Sequence, residues 1–183
     1  MPAQLSRTAT ALVEAVAQTL GVGLATASMT DIARAAGISR ATLYRSFSTR
    51  EALLRGVVAV AIDRVARRVQ ESDLERVDVR EGVARVARSF VVTGSAFTVL
   101  AHTDVKDAED EADLEARVAE PLRVLLARGV ADGTLRDDVP VTIHFTALSA
   151  LLEMGVNLAV DGGVPAETAA ATVASLFLDG AAT

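Results

Sequence analysis

Between Ser28 and Phe47 the chain reads SMTDIARAAGISRATLYRSF, two short helix-compatible runs divided by a glycine, and no other stretch constrains the fold as tightly. Ser28 can cap a first helix while Asp31, three residues on, returns a hydrogen bond in the S-x-x-D arrangement. Ile32, Ala33 and Ala36 give a narrow apolar face, and Gly37 occupies the position after the helix where a left-handed backbone costs nothing. Ile38 is an apolar wedge in the turn, and Ser39 can cap a second helix. On that helix Leu43 and Phe47 are four residues apart and face inward. Arg40, Ala41, Tyr44 and Arg45 share the outward surface, at about 100° per residue. The unit reads as a helix-turn-helix.

An outward face of this composition suits a DNA groove. Ala41 permits close approach, arginine can fork onto guanine O6 and N7, and the hydroxyls of Thr42, Ser46 and Tyr44 suit phosphate oxygens. Ser48 followed by Glu51 reads as a capping box that opens a third helix, with Arg50 in its first turn beside the same surface. The candidate DNA-contacting set is therefore Ser28, Ser39, Arg40, Ala41, Thr42, Tyr44, Arg45, Ser46 and Arg50. The alternative is a helical hairpin inside an ordinary core, which would have no reason to leave Arg40, Tyr44 and Arg45 on one outward face.

From Ser28 to Leu54 the chain resembles the tetracycline-repressor (TetR) family of bacterial transcriptional regulators: TDIARAAGIS, the TLYRSF core and STREALL follow in order. The resemblance covers only the region around the helix-turn-helix, within about the first third of the chain. It implies an all-helical homodimer with an amino-terminal DNA-binding domain and a carboxy-terminal domain that binds an inducer. The expected fold class is all-α, with a three-helix DNA-binding domain over residues 1–50 and a helical ligand-binding and dimerisation domain over 51–183.

Net charge first points away from nucleic acid, at -6. Its distribution does not. Residues 1–68 hold nine Arg and four acidic residues, a balance of 9 - 4 = +5, and residues 69–183 hold nine Lys or Arg and twenty acidic residues, 9 - 20 = -11. A basic front end can meet phosphate while the acidic remainder is held away from DNA. The absence of cysteine excludes disulfides and thiolate zinc sites, and two histidines, His102 and His144, make a histidine metal cluster improbable, so no metal and no cofactor are expected. The acidic run from Asp104 to Glu120 reads as a solvated loop and helix face, with a divalent-cation site the alternative. Glu14 and Gln18 interrupt the amino-terminal apolar stretch, and Glu153 and Asn157 break the one from Ala147 to Val160, so no membrane span is expected and the chain reads as cytoplasmic.

Beyond the motif the pattern stays helical. Helices are expected over 6–20, 49–70, 79–94 and 112–130, with Pro121 kinking the last or starting a second segment, and Pro140 and Pro165 open two final helices as first-turn prolines. The stretch from Val141 to Val160 is apolar nearly all round and has to be covered on both sides, for which a second copy is the economical source. Leu148, Leu152, Gly155, Val156, Val173 and Phe177 are the candidate dimer contacts. Phe90, Phe97, Leu100, His102, Leu122 and Leu125 are the candidate lining of an effector cavity, although each reads equally as plain core or surface.

The leading functional reading is a regulator that represses from a palindromic double-stranded operator as a homodimer and is released by a small, largely apolar effector. An effector-independent regulator or activator is the alternative. An all-helical carrier or enzyme is weaker, because no phosphate loop, nucleophile set or metal cluster is visible, and the chain is not expected to be an enzyme.

Overall fold

The computed structural model describes residues 27–92, 94, 106–160 and 162–182. The helix expected over 6–20 and the apolar segment 96–102 lie outside the described residues, and so do Phe97, Leu100 and His102. The described chain is all-α. Its extended pairing is a single antiparallel bridge from Leu135 to Ala182.

Two short helices come first, α1 (Met29–Ala35) and α2 (Arg40–Ser46). Both hydroxyl caps form: the Ser28 Oγ accepts from Asp31 N at 3.2 Å while Asp31 accepts from Ser28 N at 3.3 Å, and the Ser39 Oγ accepts from Thr42 N at 3.1 Å. Gly37, at φ +66°, takes the left-handed turn that a side chain would resist. Helix α3 (Arg50–Glu71) differs from expectation at its start. Thr49, not Ser48, is the cap, and its hydroxyl accepts from Ala52 N at 3.1 Å. Two adjacent hydroxyls compete for that role, and the chain supplies the one that leaves Phe47 extended and buried.

Helix α4 (Val79–Val92) returns along α3 after a loop that Arg128 holds through the carbonyls of Leu74, Glu75 and Val77. The acidic run is more helical than expected. Asp107 caps α5 (Ala108–Leu114) by accepting from Glu109 N and Asp110 N, and Asp110 reciprocates. One wide π-helical turn, Glu115–Ala119, then joins α5 to α6 (Glu120–Ala131), with Glu120 N donating five residues back to Glu115 O. Pro121 explains it: without an N–H, and with its ring pressing on the preceding turn, it cannot continue a tight α ladder, so the turn widens instead of breaking.

The last helices, α7 (Val141–Val160) and α8 (Ala166–Ala181), pack on each other and on α4, and α7 also meets α6. Pro140 precedes α7, and Pro165 is the residue before α8's first turn, not within it. Contrary to the sequence reading, α7 is long and apolar enough to cross a membrane, with 20 residues and a mean hydropathy of 1.4. Its inward side, His144, Leu148, Leu152, Gly155 and Val156, is buried, while the other apolar residues are half-buried or exposed. Gly155 marks the closest approach: a Cβ there would lie 2.5 Å from Val173 Cγ2 and 3.2 Å from Val91 Cγ2. One contiguous hydrophobic cluster runs from Met29 to Ala181.

Candidate nucleic-acid interface and effector cavity

Leu43 and Phe47 are buried, so α2 turns its opposite side outward, and Arg40, Ala41, Arg45 and Ser46 are exposed there with Tyr44 at 44%. The ion pairing of the surrounding cations singles this face out. Arg34 pairs with Asp31 at 3.3 Å and Arg55 with Glu51 at 3.7 Å, each on its own helix. Arg40 and Arg45 pair with no carboxylate among the described residues. Two unneutralised guanidinium groups flank an exposed phenol on a helix whose other side is fixed in the core. An anionic, grooved surface is the chemical complement of such a face.

The other candidate contacts have prior engagements. Ser28 Oγ and Ser39 Oγ serve as caps, and Thr42, half-buried, shares a 2.9 Å hydrogen bond between its Oγ1 and Ser39 Oγ. Arg50 is half-buried too. Its Nε donates to the carbonyl of Ala27 at 3.0 Å, tying the first residue of α3 to the residue before the α1 cap. The guanidinium of Arg50 thus ties the start of α3 to the entrance of α1, a contact the sequence pattern did not disclose. The cap also acts on Asp31: hydrogen bonds from the Ser28 side chain and backbone, with a smaller contribution from Arg34, hold its carboxyl below the usual range.

A second site lies between α4, α5, the π turn, α6 and α7. This hollow of about 270 Å³ is lined by Phe90, Leu114, Val118, Leu122, Phe145 and Leu152, with Ala119, Ser149 and the charged groups of Lys106, Glu111 and Glu115 completing the wall. Phe90 and Leu122 were expected there. Leu125 was not placed correctly: it packs over Gly82, and the hollow it borders is a separate one beside Glu75 and Arg128. Leu114, Val118 and Phe145 were not named from the sequence, because only the packing of α5 on α3, and of α7 on α4 and α6, brings them to one space. The wall is also more charged than the sequence suggested. Arg123 stacks its guanidinium 4.7 Å from the Phe145 ring centre and forks onto Glu115, whose carboxyl it holds below the usual range.

The six expected dimer contacts need correction. Leu148, Leu152, Gly155, Val156, Val173 and Phe177 are all buried within the single chain, where α4, α7 and α8 cover them. The uncovered apolar residues of the same helices are others, with Ile143 55%, Val160 50% and Leu176 52% exposed. A shallow groove of about 570 Å³ runs along α8, lined by Glu167, Thr168, Ala171, Thr172, Ser175 and Leu176. An all-round apolar helix has no sequence mark for which side its own subunit takes.

Residues 11–57 match the sequence profile of the family described as bacterial regulatory proteins, tetR family. Over most of its length the chain is similar to the HTH-type transcriptional regulator NfxB of Pseudomonas aeruginosa, 27% identical over 159 residues, covering 85% of this chain and 84% of that protein. It is also similar to the HTH-type transcriptional repressor KstR2 of Rhodococcus jostii, 26% identical over 174 residues, covering 87% and 83%. Among solved structures, the fold is that of the TetR-like regulator LfrR from Mycobacterium smegmatis, determined in complex with proflavine, with a TM-score of 0.77 at 24% identity over 97% of this chain and 99% of that one.

Proposed function

We propose that the chain is a DNA-binding transcriptional regulator of the tetR family of bacterial regulatory proteins, and that it is a repressor released from its operator by a small molecule. The observation that carries the DNA half is the outward face of α2, where Arg40 and Arg45 have no carboxylate partner among the described residues while Arg34 and Arg55 pair on their own helices. Arg40 reads a base edge and Tyr44 contacts a phosphate. Two copies related by a two-fold axis set two such helices into successive major grooves, about 34 Å apart, on a palindromic site. The second copy packs against the uncovered sides of α7 and α8, around Ile143 and Leu176, where Ala147, Ala150, Ala171, Thr172 and Ser175 are small enough for close helix approach. On this reading the protein works in the bacterial cytoplasm and is not an enzyme.

The hollow behind Phe90 and Phe145 is the effector site. A relative named as a repressor and a fold neighbour solved with proflavine support the repressor reading and the presence of a ligand site. The wall favours a ligand with an apolar body and a polar end, the body on Val118, Leu122 and Leu152 and the end toward Lys106, Glu111 and Ser149.

The test is a salt-titrated binding assay on an operator selected from random duplex DNA. Arg40→Ala is expected to lose about 1 to 3 kcal/mol at one base position and relax sequence choice there, whereas Tyr44→Ala weakens all sequences alike. Wild-type affinity in both variants would remove α2 as the reading helix.

A further inference from the structure

Arg117 sits in the π turn, between two hollows. Its neighbours Glu115, Val118 and Ala119 line the inner hollow of about 270 Å³, and Arg117 itself borders an outer groove of about 480 Å³ together with Ala66, Val69 and Gln70 of α3. Its Nη1 donates to Asp63 Oδ1 on α3 and to Asp113 Oδ2 on α5, both at 2.8 Å. These bonds, Asp63 foremost, hold the guanidinium pKa above its ordinary value. A π turn is a wide, loosely wound piece of helix that tightens or shifts with little loss of hydrogen bonding. This one has empty space on both sides. Helix α3 runs on unbroken from Asp63 to Arg50, about 20 Å at 1.5 Å per residue, and Arg50 is hydrogen-bonded to Ala27 at the entrance to α1.

We propose that Arg117 is the positioning residue that carries occupancy of the inner hollow to the DNA-reading helices, by moving with the π turn and pulling on α3 through Asp63. The proposal rests on the reading of that hollow as the effector site. A ligand that fills the hollow presses on Val118 and Ala119, the turn shifts toward the outer groove, and the Arg117 guanidinium either drags Asp63 or lets go of it. Either outcome gives occupied and empty hollows different α3 positions, which is the differential contact any coupling requires.

A filled hollow can be made without knowing the ligand. Ala119→Phe places a ring in it, and Ser149→Phe does so from the opposite wall, so that a folding defect in one leaves the other usable. Each is combined with Arg117→Gln, with Asp63→Asn and with Arg117→Lys, and operator affinity is measured on folded dimer. The filled variants are expected to bind the operator at least about fivefold more weakly than wild type, the lower end of two-site coupling. In the Arg117→Gln and Asp63→Asn backgrounds that drop is expected to shrink by about two- to fivefold, the share an exposed ion pair can carry. Arg117→Lys, which keeps a point charge opposite Asp63, restores part of it. No drop in either filled variant would refute the effector-site reading itself. A full drop that persists unchanged without Arg117 or Asp63 would leave that reading standing and overturn the role of Arg117.

Discussion

Helices α1 and α2 are seven residues each and are set by local chemistry: a hydroxyl at each start, a glycine with positive φ between them and two buried anchors, Leu43 and Phe47. Helices α7 and α8 are 20 and 16 residues long, α8 has no side-chain cap, and their position is fixed by contact with each other and with α4. Both regions leave part of their surface exposed. The reading head exposes charge that is unpaired among the described residues, whereas the terminal pair exposes the apolar side chains of Ile143, Val160 and Leu176. The first kind of surface is written in neighbouring residues. The second is a remainder after packing and becomes visible only when the packing is known.

The largest effect expected from breaking this contrast is at Leu152, which is 1% exposed. Leu152→Asp puts an unpaired carboxylate into the core and should cost about 3 to 5 kcal/mol, enough to unfold much of a marginally stable domain. Leu176→Glu, on the exposed side of α8, should change unfolding stability by about 0.5 kcal/mol or less yet dissociate the dimer in sedimentation. Stable Leu152→Asp protein would undo the burial of α7. A Leu176→Glu variant that remains dimeric at tens of micromolar would move the interface elsewhere.

The same contrast accounts for what the sequence disclosed. Ser28, Asp31, Gly37 and Ser39 were assigned correctly because a cap or a left-handed turn involves residues within four positions of each other. Leu148 was given to a partner because both sides of an all-round apolar helix look alike until α4 is seen to cover one of them. The hollow behind Phe90 and Phe145 was half legible. Phe90 lies on a strongly patterned face, but Phe145 enters from a helix later in the chain, and Arg123 reaches Glu115 across the π turn. Arg50 shows the same limit. Its position at the start of α3 could be read, but its bond to Ala27, 23 residues away, could not.

Arg50→Lys sharpens the boundary between the head and the rest. If Arg50 acted as a phosphate contact, lysine would keep the charge and the salt slope. As a clamp it should fail, because lysine lacks the fixed Nε donor, and head stability and operator affinity should both fall by about 1 kcal/mol, the net value of one such hydrogen bond, with the salt slope unchanged. Preserved affinity together with a slope that falls by about one in Arg50→Ala would return Arg50 to the DNA surface.

The smallest expected effect tests whether the head is truly held by its local caps. Ser28→Ala removes the hydroxyl that accepts from Asp31 N, and loss of an N-cap of this kind costs about 1 kcal/mol. That hydroxyl also donates to the Asp31 carboxylate and is the chief reason the Asp31 pKa lies below its ordinary value. A depressed acid pKa stabilises the fold above the unfolded value, and the contribution is lost as pH falls through the folded one. The melting difference between wild type and Ser28→Ala should therefore be constant near neutrality and narrow below about pH 4. It should not vanish, because a protonated Asp31 leaves the Ser28 Oγ still accepting from Asp31 N in the wild type. A difference that stayed constant down to pH 2 would separate the cap from the carboxylate and reduce the capping box to a single hydrogen bond.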